Sequence, residues 1–223
     1  ILTFPSKKCL VLDLDNTLWG GIIGQDGMEG IVLGEDGLGK AYEDFQKEIL
    51  KLHEKGIILA ICSKNNEPDA LEVFRKHKGM ILKEESFVSK RINWTDKATN
   101  ILEISKEINI SLDSMVFLDD SPAERKWVRD NLPQMIVPEF PEDPFLYTEF
   151  MKSSDWFDSY RLNQEDLSRN TTYKAVAKGR ELKITSKSVS NYLKELDQQI
   201  VLEEVDTSAL SRVTQLCQKT NQF

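Results

Sequence analysis

The sequence predicts an α/β fold built on a central parallel sheet. Along residues 8–137, short apolar runs typical of buried strands alternate with segments whose apolar residues recur at helical spacing. Three of the apolar runs end directly in acidic or polar residues, as strands often do where their carboxyl ends carry a ligand site. Strands that alternate with helices pair in parallel through right-handed crossovers, so this order of segments favours one such sheet.

The first predicted strand runs from Leu10 to Leu12 and stops at two carboxylates, Asp13 and Asp15. A core strand that ends in acid is unfavourable unless a cation or hydrogen-bond donors compensate the charge. At the carboxyl edge of a sheet, the two acids can converge with backbone groups on a divalent cation and a phosphate. Taken alone, the Asp-x-Asp pattern is equally compatible with a helix cap or a turn.

Glycines dominate the next segment, since residues 20–39 hold eight of the eleven in the chain. The apolar runs GIIG and GIVLG, followed by the turn-forming QDG and EDG, predict a glycine-rich β-hairpin flap over residues 18–39. Its place directly after the acidic strand end puts it over the expected site, where Trp19 and its other apolar residues could close on a small substrate. A flexible surface loop is the alternative.

The chain then alternates regularly as far as residue 137. The second strand ends at Ser63, a later helix carries Lys97 in its first turn, and another strand ends in Asp119 and Asp120. Helices are predicted at residues 40–55, 96–108 and 122–131, and one more is predicted with Pro68 near its first turn. Strands are predicted at residues 57–62, 114–118 and 135–137, together with one or two short strands within 80–90.

The acidic residues at two strand ends predict a magnesium site. Mg²⁺ prefers hard oxygen ligands and leaves room for water and phosphate oxygen. Asp13 fits as nucleophile and ligand, the backbone carbonyl of Asp15 as a second ligand and the Asp120 carboxylate as a third. Asp119 would share the ligation or hold a metal-bound water.

The remaining groups suit phosphoryl transfer. Lys97 supplies a point charge for phosphoryl oxygens, and Ser63 supplies a hydroxyl next to backbone N–H donors. Asp15 can then protonate the leaving oxygen and later accept a proton from water. Each residue alone has another explanation, as a solvated lysine or as a helix cap. Because all of these residues occur in this order along the chain, each at its expected strand end or helix start, the catalytic interpretation is favoured.

Four motifs resemble those of the haloacid dehalogenase (HAD) superfamily of phosphohydrolases. They are DLDNT, Ser63 after a strand, Lys97, and FLDD. Longer phrases such as KKCLVLDLDNTLWGGIIG and NWTDKATNI are similar to the FkbH-like branch, subfamily IIIC, over about residues 5–180. The resemblance implies a Rossmann-like core, Mg²⁺, an aspartyl-phosphate intermediate and little or no inserted cap.

Some FkbH-like proteins also load a glyceryl unit from 1,3-bisphosphoglycerate onto an acyl carrier protein. Those members carry a cysteine shortly before the Asn-Trp pair, where this chain has Ser89, and Cys62 is the cysteine nearest the expected site. We therefore expect a Mg²⁺-dependent phosphohydrolase, with glyceryl transferase/phosphatase activity as the alternative and a non-catalytic binding module as a third hypothesis. The expected partner is a phosphorylated small molecule or a carrier-linked substrate, with an acyl carrier protein as a candidate.

Three regions are expected along the chain. Residues 1–150 form the HAD-like core, 151–185 a helical extension or linker, and 186–223 the start of a truncated C-terminal domain that weakly resembles an acetyltransferase. The chain begins with isoleucine and ends without a helix stop signal, so we expect it to be part of a longer protein.

Composition excludes several classes of function. A net charge of −8 and the absence of a basic stripe argue against nucleic-acid binding. Three cysteines without a CxxC pair favour a reducing, cytoplasmic setting. We expect no signal peptide, and no apolar run of this sequence approaches the roughly 18 residues needed to span a bilayer.

Overall fold

The computed structural model describes residues 7–157 and residue 175, and it confirms the predicted α/β fold with a central parallel sheet. Four strands form this sheet in the order β3-β2-β1-β4, and every neighbouring pair is parallel. The strands are β1 (Cys9–Leu12), β2 (Ile58–Ser63), β3 (Phe87–Ile92) and β4 (Met115–Leu118).

Six α-helices flank the strands in the described part of the chain. They are α1 (Ile23–Gly30), α2 (Gly37–Glu54), α3 (Glu67–Lys76), α4 (Lys97–Ile108), α5 (Pro122–Asn131) and α6 (Tyr147–Ser153), with short 3₁₀ helices at Glu84–Ser86, Leu112–Ser114 and Pro144–Leu146.

Strands β1, β2 and β4 are buried along their whole length, which explains why they are almost entirely apolar, whereas the edge strand β3 is partly exposed and carries Lys90 and Arg91. Leu10 and Leu12 belong to a core cluster that includes Phe45 of α2. Cys9 and Val11 belong to a second cluster that includes residues of α4 and α5. Successive residues of a strand point to opposite faces, so helices must cover the two sides of the sheet.

The helix starts follow their local capping residues. The Asp96 carboxylate accepts a hydrogen bond from the Thr99 N–H at 2.9 Å at the start of α4. Ser121 caps α5, whose first residue is Pro122. These capping signals are visible in the sequence, and both predicted starts lie within one residue of the observed ones.

The predicted β-hairpin flap over residues 18–39 is wrong. Gly20 and Val32 exchange two backbone hydrogen bonds, of 3.0 and 2.8 Å, but α1 lies between them. The Asp26 carboxylate accepts a hydrogen bond from the Ile22 N–H at 2.7 Å and so closes the first turn of this helix locally. Gly27, with φ of 68°, interrupts the helix. The short connection between β1 and α2 agrees with the absence of a large cap.

Of the one or two short strands predicted within residues 80–90, the structure forms one, β3, and the strand predicted at 135–137 is wrong. Residues 80–82 lie beside α2, where the N–H groups of Ile81 and Leu82 donate to Gln46 Oε1 at 3.0 and 3.1 Å. A side-chain amide therefore replaces the strand neighbour that an apolar run suggests. Residues 135–137 contribute only an isolated parallel bridge between Val116 and Ile136.

The predictions for the C-terminal part lie largely outside the described residues. This applies to most of the extension at 151–185 and to the domain expected from residue 186. Among the helices that the structure describes, none has both the length and the apolar character needed to cross a membrane.

Candidate active site

Three acidic residues meet at the carboxyl edge of the sheet because β1 and β4 are paired neighbours. Leu12 lies opposite Leu118, and the Asp13 N–H donates to the Leu118 carbonyl at 3.0 Å. Asp13, Asp119 and Asp120 each present a carboxylate oxygen within 4.8 Å of the others. Parallel pairing thus brings together residues more than 100 positions apart in the sequence.

Lys97 is the cation of this cluster. It is the first residue of α4, and only 3% of its surface is exposed. Its Nζ lies 3.0 Å from Asp13 Oδ1 and also forms an ion pair with Asp119. Burial opposes the charge of Lys97, but the Asp13 and Asp119 carboxylates outweigh that effect and hold its pKa above the usual value.

Asp15 is held by three hydrogen-bond donors. Its Oδ1 accepts from Trp19 Nε1 at 3.0 Å and from the Ile23 N–H at 3.1 Å. Its Oδ2 accepts from Asn65 Nδ2, also at 3.0 Å. Burial raises the pKa of Asp15 even though these three donors act in the opposite direction.

Ser63 joins the cluster through Asn65. It is the last residue of β2, which pairs with β1, and its Oγ accepts a hydrogen bond from Asn65 Nδ2 at 3.2 Å. Sequence reasoning missed Asn65, although its place two residues after a strand-end serine is a usable signal. It also misplaced Trp19, which is fully buried beside Asp15 and cannot close over a substrate as a lid.

Arg125 fixes the turn that carries Asp119 and Asp120. Its Nη1 donates to the carbonyls of these residues, at 2.9 and 2.6 Å respectively. The Asp120 N–H donates to Thr17 Oγ1 at 3.3 Å, and the Ser121 N–H donates to Asp119 Oδ1 at 2.9 Å. The turn is therefore tied both to the loop after β1 and to α5.

The two acids of this turn have perturbed pKa values. Burial, together with the neighbouring charge of Asp13, raises the pKa of Asp120 to about 6. The same two causes raise the pKa of Asp119, against the opposing effect of Lys97. A cluster of acids whose ionisation is penalised in this way suits a bound divalent cation, because the cation would relieve the repulsion.

A cavity of about 410 Å³ opens onto the acids. Asp13, Asp15 and Asp120 line it, and so does the exposed Trp94. All six residues predicted from the sequence thus lie at one edge of the sheet, although Ser63, Lys97 and Asp119 are not part of the cavity lining.

An α/β sheet with clustered acids and a buried lysine at its carboxyl edge is the arrangement of a phosphoryl-transfer site. Residues 8–145, more than half of the chain, match the model of the NLI interacting factor-like phosphatase family. The chain belongs to this family, which agrees with the phosphohydrolase resemblance of the motifs.

A solved structure supports the same assignment. It is the crystal structure of the N-terminal part of a Bacteroides fragilis protein that contains a phosphatase domain, in complex with Mg. The two chains are 49% identical with a TM-score of 0.67, and the match covers 69% of this chain. This chain spans 41% of the length of that relative. No curated protein matches the chain.

Proposed function

We propose that this protein is a Mg²⁺-dependent phosphohydrolase that acts through an aspartyl-phosphate intermediate on Asp13. The observation that carries the proposal is the cluster of three carboxylates, from Asp13, Asp119 and Asp120, beside one buried lysine, Lys97. Two of these acids, Asp13 and Asp120, line a cavity that can admit a substrate. The Mg-bound phosphatase domain of the similar Bacteroides fragilis structure supports the choice of metal.

The residues present fit a hard divalent cation. The Asp13 and Asp120 carboxylates and the backbone carbonyl of Asp15 would hold it. Asp119 already accepts hydrogen bonds on both oxygens, from Lys97 and from the Ser121 N–H, so it orients Lys97 and contributes less to the metal. Bound Mg²⁺ would supply positive charge that offsets the charges of the attacking carboxylate and of the phosphate.

The reaction uses two carboxylates in different roles. An oxygen of Asp13 attacks phosphorus, the bond to the leaving oxygen breaks, and Asp15 gives its proton to that oxygen. A water molecule then attacks the phosphorus of the aspartyl phosphate, Asp15 accepts its proton, and inorganic phosphate and free Asp13 result. Lys97 neutralises developing charge, and Ser63, whose Oγ accepts from Asn65, has its hydroxyl proton available for a phosphate oxygen.

The FkbH-like resemblance supports a narrower alternative, in which the enzyme transfers a glyceryl unit to an acyl carrier protein. Ser89 lies in the edge strand β3, donates to Glu107 Oε2 at 2.8 Å, and does not line the cavity. Burial raises the pKa of the Cys62 thiol. Neither residue supports a thioester route, so we favour hydrolysis. A glyceryl adduct found by mass spectrometry after incubation with 1,3-bisphosphoglycerate would reverse this preference.

The first experiment measures phosphate release from 4-nitrophenyl phosphate with Mg²⁺ or EDTA. We expect metal-dependent turnover in the wild type and a loss of about 1,000-fold or more in Asp13→Asn, because the nucleophile is gone. Asp130→Asn, an exposed acid of α5 outside the cavity, is the matched control. Full activity in Asp13→Asn would contradict the proposal.

A further inference from the structure

Trp94 has an unusual environment for a tryptophan. The side chain follows β3, lines the cavity, and has a relative exposure of 70%. Its Nε1 nevertheless donates to Asn66 Oδ1 at 3.2 Å, and Asn66 Nδ2 in turn donates to Asp69 Oδ2 at 3.3 Å. The indole is therefore held in place while its apolar surface faces solvent. Such a ring offers a pre-ordered stacking surface, because little rotational freedom is lost when a ligand binds to it.

Two amides that also line the cavity are available to a ligand. Asn16 accepts a hydrogen bond on Oδ1 from the Gly21 N–H at 2.9 Å, which leaves its Nδ2 group unused within the described residues. The exposed Gln25 amide has no hydrogen-bond partner among those residues. Side-chain amides can both donate to and accept from hydroxyl groups, so they suit a hydroxylated ligand.

The charges of the cavity favour a neutral leaving group. Among the described residues that line it, Lys64 is the only cation, and its Nζ lies 2.6 Å from Glu124 Oε1. The other charged residues of the lining are the acids Asp13, Asp15 and Asp120. A second anionic group on the substrate would have to displace Glu124 from Lys64 or lie among carboxylates, and both are unfavourable.

We propose that Trp94 is the stacking surface for the leaving group, and that the substrate is the monophosphate ester of a neutral, polyhydroxylated ring, a sugar monophosphate. This inference rests on the proposed phosphatase function and extends it to a substrate class. The apolar C–H face of the sugar packs on the indole, and its hydroxyls bind the amides of Asn16 and Gln25. A cavity of about 410 Å³ accommodates a phosphate together with one sugar ring.

The test compares KM for sugar monophosphates and for acetyl phosphate, whose leaving group has no ring. Glucose 6-phosphate, glucose 1-phosphate and ribose 5-phosphate are the sugar probes. In Trp94→Ala we expect KM for the sugar monophosphate, divided by KM for acetyl phosphate, to rise about 5- to 10-fold. In Trp94→Phe this ratio should return part of the way to the wild-type value, because phenylalanine keeps an aromatic ring. Trp127→Ala is the matched control, because Trp127 is 50% exposed, donates to Asp96 at 3.2 Å and lies outside the cavity lining.

Further substrates separate the competing classes. An unchanged KM ratio in Trp94→Ala would overturn the inference. So would a preference of the wild type for fructose 1,6-bisphosphate, for an alkyl phosphate or for a nucleoside monophosphate over every sugar monophosphate.

A binding measurement separates the failure of this inference from the failure of the proposed function. Calorimetry on Asp13→Asn, which cannot turn over, should detect sugar monophosphate binding with Mg²⁺ present. The double variant Asp13→Asn/Trp94→Ala should bind about 5- to 10-fold more weakly. Equal affinity in the two variants, or no binding to Asp13→Asn, would overturn the role of Trp94. If the two variants differ in affinity as expected but the wild-type protein releases no phosphate, the phosphatase proposal is contradicted and the role of Trp94 is not.

Discussion

The two aspartates of the first motif are held in different ways, which gives them different chemical capacities. Asp15 accepts hydrogen bonds from Trp19, Ile23 and Asn65, and these donors come from the loop after β1, from α1 and from the loop after β2. Asp13 instead faces Lys97 at 3.0 Å. A carboxyl group fixed on both oxygens keeps one orientation, as a proton donor requires. Asp13 is paired with Lys97 instead, and this pairing suits the attacking group because the lysine balances its charge.

We expect Asn65→Ala to lower kcat about 10-fold with little change in KM. The substitution removes the donor to Asp15 Oδ2 and the bond to Ser63 Oγ. Asp15 is then held through Oδ1 alone, so its carboxyl group is less firmly oriented. The loss should be larger for alkyl phosphates than for aryl phosphates, since a poor leaving group depends more on protonation. Asn131→Ala, an exposed asparagine of α5, is the control. Steady-state kinetics showing the same loss for both kinds of leaving group would contradict the positioning role.

Sequence patterns identified the charged site residues but not the residues that orient them. Asp13 and Asp119 could be predicted because each one follows a buried strand, and Ser63 because it ends one; parallel strands share one carboxyl edge. The roles of Trp19 and Arg125 depend on the direction of a long side chain in the folded protein. No local spacing encodes that direction, so only the structure shows these contacts.

At the scale of elements, the glycine-rich segment shows how a local hydrogen bond can override a turn pattern. Its apolar runs and turn signals favoured a hairpin, yet Gly20 and Val32 form only one bridge, and α1 fills the space between them. The bond from the Ile22 N–H to the Asp26 carboxylate closes the helix start, which the hairpin interpretation did not take into account. Long helices such as α2 were predictable because many apolar residues repeat at one period.

Asp26→Ala should loosen α1 and the cavity wall that it forms. Loss of the bond to Ile22 should destabilise the helix start by about 1 kcal/mol. Ile22 and Gln25 line the cavity and the Ile23 N–H binds Asp15, so we expect kcat/KM to fall about 5-fold. The matched control is Glu29→Ala, an exposed acid on the same helix. Equal kcat/KM in the two variants would show that α1 does not shape the site.

At the scale of the whole molecule, the site adds to an existing excess of negative charge. The chain carries a net charge of −8, and the site gathers Asp13, Asp119 and Asp120 beside one buried cation, Lys97. Without a metal, this arrangement opposes folding, because like charges are held close together in a buried place. A bound divalent cation would remove that penalty and couple metal binding to global stability.

Asp120→Asn should therefore stabilise the metal-free protein at neutral pH. Folding raises the pKa of Asp120 from 3.8 to about 6, mainly by burial and by the charge of Asp13. The folded state then binds more protons than the unfolded state between these two values. The destabilising contribution is consequently fully present above about pH 6 and disappears as the pH falls towards 4.

In EDTA at pH 7.5 we expect the melting temperature of Asp120→Asn to exceed that of the wild type by roughly 2–4 °C, a modest shift because solvent screens this partly exposed group. The difference between the two melting temperatures should become smaller near pH 4.5. Saturating Mg²⁺ should reverse the order, because it stabilises the wild type, with its complete ligand set, more than the variant. Glu142→Gln, an exposed acid remote in sequence from these motifs, should show none of these shifts. A metal-free Asp120→Asn less stable than the wild type at pH 7.5 would show that Asp120 stabilises the fold without a cation.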